Sequence, residues 1–384
     1  VGVNKLFYNI DGQTTTFLNP KVDATDFVNG LRNNNRIGVD LRETILAVGF
    51  KGLWGYNTVT LSARANVGVY VPKDLLRLAK YGAENNRYQI GKMGAQATAW
   101  AELALNHSQK LNDHWRVGGS MKLLIGAGNI DARFHNTDLV LNEDNWVATV
   151  DAELNNSVRN LTYKTSYNDR TDREYVSGFH YGDFKLNGIG AAFDFGAVYT
   201  LNSDWEFSAS LLDLGFITWD NNLLATTNGP KRVETDRYSF NVTDMDDAFD
   251  KLRDDVTLLY QLDDAGYQGT RTTMMGATLN LAAEYTLPAY RRLSFGLMNQ
   301  TRIQGAYSWT DFRLSANIRP VNCLSAGVNL GIGTFGASFG WIVDLKTPGF
   351  NLFIASDVTP GKLAKQGIPL NSRANVNLGI NFPF

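Results

Sequence analysis

The chain has 384 residues, of which 19% are charged and 12% aromatic, and a formal net charge of −2. It holds no run of about 18 apolar residues, which excludes helical membrane spans, and its near-neutral charge gives no footprint for nucleic acid. Its single cysteine, Cys323, excludes an internal disulfide, and Val1-Gly-Val-Asn4 lacks the apolar core of a signal peptide, as expected of a processed or truncated start.

In chain order, residues 1–10 read as a first strand. Residues 11–41 follow as an outer loop in which Ala24, Phe27, Val28 and Leu31 fall at helical spacing. Residues 59–69 then alternate: Val59, Leu61, Ala63, Ala65, Val67 and Val69 on one face, Thr60, Ser62, Arg64 and Asn66 on the other. A strand sends successive side chains to opposite faces, so one face is apolar and the other polar. Residues 70–87 form a second outer loop, with Val71, Leu75 and Leu78 at helical spacing and Pro72 near the first turn. Strands at 95–106 and 116–126 flank a short turn at Ser108–Asp113. Residues 130–155 are either two more spanning strands or a hairpin standing above the membrane. After the outer segment 156–187 come strands at 189–200 and 205–217, joined by Asn202–Asp204, and then the long outer loop 220–270. Strands at 273–287, 293–304, 309–319, 322–332, 334–345 and 350–357 follow, with 358–372 outside.

The closing segment 373–384 puts Ala374, Val376, Leu378, Ile380, Phe382 and Phe384 on one face and Arg373, Asn375, Asn377, Gly379 and Asn381 on the other. This is the pattern of a closing outer-membrane strand, with Phe382 and Phe384 as its aromatic insertion signal. Strands of about 10–15 residues suit a tilted bilayer crossing better than the usual 5–6 of a soluble sheet. With the carboxy-terminus placed in the periplasm, the short connections sort to one side and the long ones to the other, the known barrel asymmetry. The expected fold is therefore all-β: one transmembrane outer-membrane β-barrel over 1–384, of about 14 antiparallel strands, or 16 if 130–155 spans, with short helices in extracellular loops. Closure is expected because an open edge in lipid leaves backbone groups unpaired. Within loop 220–270, a helix is predicted over 244–260 from Met245, Phe249, Leu252, Val256 and Leu259 at i, i+4, i+7, i+11 and i+14, with aspartates opposite.

The polar face carries both signs of charge: Arg64, Glu102, Lys122, Asp194, Glu284, Arg302, Asp311, Arg313, Asp344 and Arg373. They are read as lumen-facing groups, forming an internal salt-bridge network or lining a substrate path. Folding 293–304 against 309–319 sets Arg302 about opposite Asp311, to within two residues. Trp100 and Met274 are also expected inside, so the lumen is not a simple wet pore. The run Leu211-Leu-Asp-Leu-Gly-Phe216 is apolar on both faces, which an inserted bulge explains as well.

Enzyme chemistry finds little support. Gly331-Ile-Gly-Thr-Phe-Gly336 matches a dinucleotide fingerprint, but a strand follows it where a helix is needed. His107, His114, His135 and His180 lack metal-ligand spacing, and Ser177 near His180 is a chance pairing. No metal, cofactor or catalytic residue is assigned.

Phe17-Leu-Asn-Pro20, Arg64-Ala-Asn-Val-Gly-Val69, Ala101-Glu-Leu-Ala-Leu-Asn-His107, Leu212-Asp-Leu-Gly-Phe216, Ser338-Phe-Gly-Trp341, Gly349-Phe-Asn-Leu-Phe353 and Asn375-Val-Asn-Leu-Gly-Ile-Asn-Phe-Pro383 carry a resemblance over nearly the whole chain. They resemble an outer-membrane family of Bacteroidota known as a domain of unknown function, whose members carry a further amino-terminal segment. The architecture is similar to the long-chain fatty-acid transporter superfamily, which includes a secretion-shuttle subunit of the type IX system. No transporter binding motif is matched. The resemblance implies a plugged or gated barrel in the outer membrane that passes small hydrophobic molecules, or else a non-transporting partner of surface lipoproteins, other outer-membrane proteins or secretion machinery.

Overall fold

A computed structural model of the chain describes residues 7–10, 13–81, 87–141, 145–169, 172–236, 261–359 and 375–383. The chain is almost entirely antiparallel sheet. Its long strands are β1 (Asn34–Gly52), β2 (Gly55–Pro72), β3 (Met93–Lys110), β4 (Trp115–Leu141), β5 (Ile189–Thr200), β6 (Trp205–Trp219), β7 (Ala277–Thr286), β8 (Leu293–Ile303), β9 (Trp309–Val321), β10 (Leu324–Gly333), β11 (Gly336–Thr347), β12 (Phe350–Ser356) and β13 (Asn377–Asn381). Each pairs antiparallel with the next, including β4 with β5 across the 126–188 excursion.

The two faces of this sheet differ in the sense expected of lipid as outer solvent. Leu330 and Ile332 on β10 are 63% and 67% exposed, whereas Asp311 on β9 and Glu102 on β3 are 0% and 1% exposed. Apolar groups turned outward and charges turned inward invert a water-soluble sheet and match a membrane barrel wall. Aromatic rings cluster where the strands meet the short turns. Trp115 packs on Tyr199 at 4.9 Å and Trp205 on Tyr285 at 4.8 Å between centroids. Such rings suit the membrane–water boundary, where an apolar body and a polar tip are both accommodated.

The sheet curls enough for distant strands to touch. The turn between β8 and β9 reaches β2, where Gln304 Nε2 lies 3.5 Å from Asn66 Oδ1. Arg36 of β1 donates to the Ser308 carbonyl. Among the described residues, none of β13 is registered against β1. Because every pairing from β1 to β13 is antiparallel, these two edges run in the same sense.

Several expectations change here. Residues 7–10 are not the first strand of the sheet: Phe7–Ile10 pair with Gln13–Thr16 as a separate hairpin. The outer loop placed at 11–41 ends early, because β1 begins at Asn34. That strand hides from a period-two reading because a register shift between Thr44 and Leu46 moves its apolar residues from odd to even positions. Residues 130–155 resolve as the hairpin alternative: the upper half of β4 pairs with Asn145–Ser157, while its lower half pairs with β5. The strand placed at 273–287 breaks into Arg271–Met274 and β7.

Two of the three loop helices fall within the described residues, α1 (Ala24–Asn29) and α2 (Lys73–Tyr81). Asp23 caps α1 by accepting from the Asp26 amide at 2.7 Å. Phe27, Val28 and Leu31 are buried with Val22 against Tyr8, Phe17 and Leu76, so the amino-terminal hairpin and both helices share one small core at the end of the sheet opposite the short turns. The helix expected over 244–260, with Met245, Phe249, Leu252, Val256 and Leu259, lies outside the described residues, as do Arg373 and Phe384.

Candidate functional site

The inner face of β1 to β6 concentrates charge, each strand supplying one group. Arg42, Arg64, Glu102, Lys122, Asp194 and Asp213 join as a chain of alternating sign. Arg42 Nη2 lies 3.3 Å from Glu102 Oε1, and Glu102 Oε2 lies 2.9 Å from Arg64 Nη1. Arg64 grips Asp213 with both guanidinium nitrogens, at 2.9 and 3.0 Å. Lys122 Nζ then bridges Asp213 Oδ1 and Asp194 Oδ2, each at 2.7 Å. The bidentate pair uses the fork geometry that a lysine cannot supply. All but Arg42, which stands half in the open at the β1 edge, have side chains largely out of solvent.

Arg64, Glu102, Lys122 and Asp194 were expected on this face. Arg42 and Asp213 are the two residues that the sequence pattern does not assign, although the unusual run 211–216 marks the place of the second. Phe193 pairs with Leu214 but Phe195 with Leu211, so β6 carries an extra residue opposite Asp194. Asp213 takes φ +58 there and donates its amide to Asp194 Oδ1 at 2.7 Å. Aspartate tolerates this left-handed backbone better than most residues because its short polar side chain bonds locally. The bulge therefore turns Asp213 inward, between two cations.

An apolar cluster lies beside the charges. Trp100, Leu124, Ala192, Ile217 and Trp219 are buried together, with Met275 against them. Arg64 stacks over Trp100 at 5.0 Å from the ring centroid. Trp219 Nε1 donates to Thr273 Oγ1 at 2.8 Å, whereas Trp100 Nε1 finds no acceptor among the described residues. Met274, expected inside, is 71% exposed and its neighbour Met275 points inward. The break before β7 shifts the alternation by one.

The remaining predicted lumen groups are scattered along β7 to β11. Asp311 is fully buried and bonds Arg313 at 2.9 Å, and Arg313 also reaches Asp357 at 3.2 Å. Asp311 stands opposite Gln300, and Arg302 opposite Trp309, two residues from direct facing and at the limit of the expected register. Arg302 instead donates to Gln304 Oε1 at 2.8 Å. Asp344 pairs with Lys346 at 2.9 Å. Glu284 is exposed near the short-turn end, opposite Glu206. Phe382 is exposed, with its ring 5.8 Å from Phe350. Among the described residues no group of acidic, histidine or cysteine side chains could hold a metal ion.

Above the charge cluster, Tyr307 sits in the turn between β8 and β9. Burial, with Asp131 adding to it, pushes its phenol up to about 12.

Residues 1–357 match the model of a family of unknown function, DUF5723, and the chain belongs to that family. Curated proteins gave no match. Among solved structures, the toluene transporter TbuX of Ralstonia pickettii is similar at 10% identity and TM-score 0.34, covering 84% of this chain and 83% of its own. The toluene transporter TodX of P. putida is similar at 9% and 0.33, covering 88% and 86%. Likeness at this level carries no argument about function.

Proposed function

We propose that this protein is a non-enzymatic outer-membrane barrel with an occluded lumen that admits small hydrophobic molecules. The carrying observation is the buried apolar cluster of Trp100, Leu124, Ile217 and Trp219 on the inner face, where a water-filled channel would present polar groups. The alternating charges beside it neutralise one another, so the interior offers no net field that would draw in ions. Outward Leu330 and Ile332 and the aromatic belt support a place in the outer membrane, with the short turns and the carboxy-terminus in the periplasm. One further strand between β13 and β1, antiparallel to both, would close the wall at 14 and leave no edge unpaired in lipid.

Bromobenzene, an apolar heavy-atom quencher, tests the reading on the full chain in lipid vesicles. Saturable quenching of tryptophan emission, lost in a Trp100→Phe/Trp219→Phe double variant, is the expected result. Only linear, non-saturating quenching in both proteins would refute it.

A second reading is favoured by the charge chain itself. Ionic ties across β1 to β6 stiffen the wall, as suits a scaffold for surface lipoproteins or secretion machinery. Mild-detergent purification from the native membrane, followed by mass spectrometry, would then recover a stoichiometric protein partner.

A further inference from the structure

The turn 304–308 does not project outward as a loop tip would. It folds across the interior, and Tyr307 comes to rest on β2 and β3, strands separated from β8 by β4 to β7. A Cβ built on Gly68 would lie 2.7 Å from Tyr307 Cδ1, and one built on Gly94 would lie 3.3 Å from Tyr307 Oη. No Cβ contact as short as the first occurs in proteins without something moving, so the ring occupies space that only glycine leaves free. Tyr70 meets the ring edge-on at 6.1 Å between centroids.

The turn is held in this pose from both sides. Gly305 takes φ +54, and the Gln304 amide donates to Ser308 Oγ, which donates in turn to the Gly305 carbonyl, both at 2.8 Å. Across the interior, Arg36 donates to the Ser308 carbonyl, and Gln304 Nε2 approaches Asn66 Oδ1. Tyr70 pairs with Gly94 while Arg64 pairs with Trp100, so the ring sits toward the outer end from the charge and apolar clusters. Two obstructions therefore lie in series, one built of strand side chains and one carried on a turn.

We infer that Tyr307, seated on Gly68 and Gly94, is the residue that sets the width of the passage and so the size of molecule it admits. This rests on the reading of the barrel as a passage. The strand side chains are tied down by multiple ion pairs, whereas the ring is held by contact with two glycines and Tyr70 and by the pose of one turn. Removing the ring opens the outer constriction, and filling the Gly68 seat displaces it, whereas a side chain at Gly94 meets the Ala132 carbonyl at 3.0 Å before the Tyr307 hydroxyl at 3.3 Å.

The experiment is planar-bilayer recording of the full chain in potassium chloride. Tyr307→Gly and Gly68→Val should each raise mean conductance at least about twofold over the parent, the least gain expected when the larger of two resistances in series is removed. Tyr290→Gly, in an exposed turn at the other end, should not. Heat-modifiable migration on gels verifies that each variant is folded, and Tyr307→Ala provides a second ring variant if Gly68→Val does not fold. Parent-level conductance in folded Tyr307→Gly, with saturable bromobenzene quenching intact, would overturn the inference and leave the passage standing. Raised conductance without saturable quenching would uphold Tyr307 as the occluding residue and remove the hydrophobic cargo.

Discussion

Asp213→Ala tests the charge chain at its centre. The carboxylate accepts from Arg64 through two nitrogens and from Lys122 through one. Its removal leaves two cations whose side chains are 11% and 4% exposed, with Glu102 and Asp194 as remaining partners. Stranding a buried charge costs about 3–5 kcal/mol when no partner remains, and the surviving carboxylates pull the expectation to the lower end of that range. Alanine must also adopt the left-handed backbone at 213, at about 1–2 kcal/mol. The two contributions together place the loss at about 4–5 kcal/mol. Asp213→Asn separates them, because asparagine tolerates the backbone and removes only the charge. Equilibrium urea unfolding in lipid vesicles, followed by tryptophan emission, measures both. Lys346→Ala, which breaks a half-exposed pair with Asp344, should cost less than about 1 kcal/mol. If Asp213→Ala falls in that same range, the network contributes no more than a surface ion pair and the argument from burial is wrong.

Three further outcomes are expected. Leu330→Arg, on the outer face, should destabilise the protein by about 2–4 kcal/mol in vesicles if that face meets lipid near midplane; a change near zero would place that face in water. An impermeant maleimide on whole cells should label Asn228→Cys and spare the exposed native Cys323 in the short turn after β9, and equal labelling would invert or abolish the proposed topology. In hydrogen exchange, the amides of 37–50 that point away from β2 should be protected as well as those of β2, because a closed wall pairs them in lipid; exchange of that alternate set within seconds would mean the β1 edge stays open.

The chain by itself determined the class of sheet, because alternation is a local property. Side chains at i and i+2 share a face whatever the rest of the fold does, so the strand at 189–200 and the inward set Arg64, Glu102, Lys122 and Asp194 were legible residue by residue. The amphipathic periods of α1 and α2 were legible for the same reason. What tertiary structure decided lies where alternation slips. The bulge at Asp213, the shift at Thr44 and the break at Met275 each move the pattern by one residue, and a one-residue slip exchanges the faces. Those slips made Met275 rather than Met274 an inner residue, and completed the ionic chain with a carboxylate that the pattern alone left unassigned. Tyr307 was beyond any periodic reading: its partners Gly68 and Gly94 are glycines on strands far along the sheet, and only the curl of the wall brings the turn across to them.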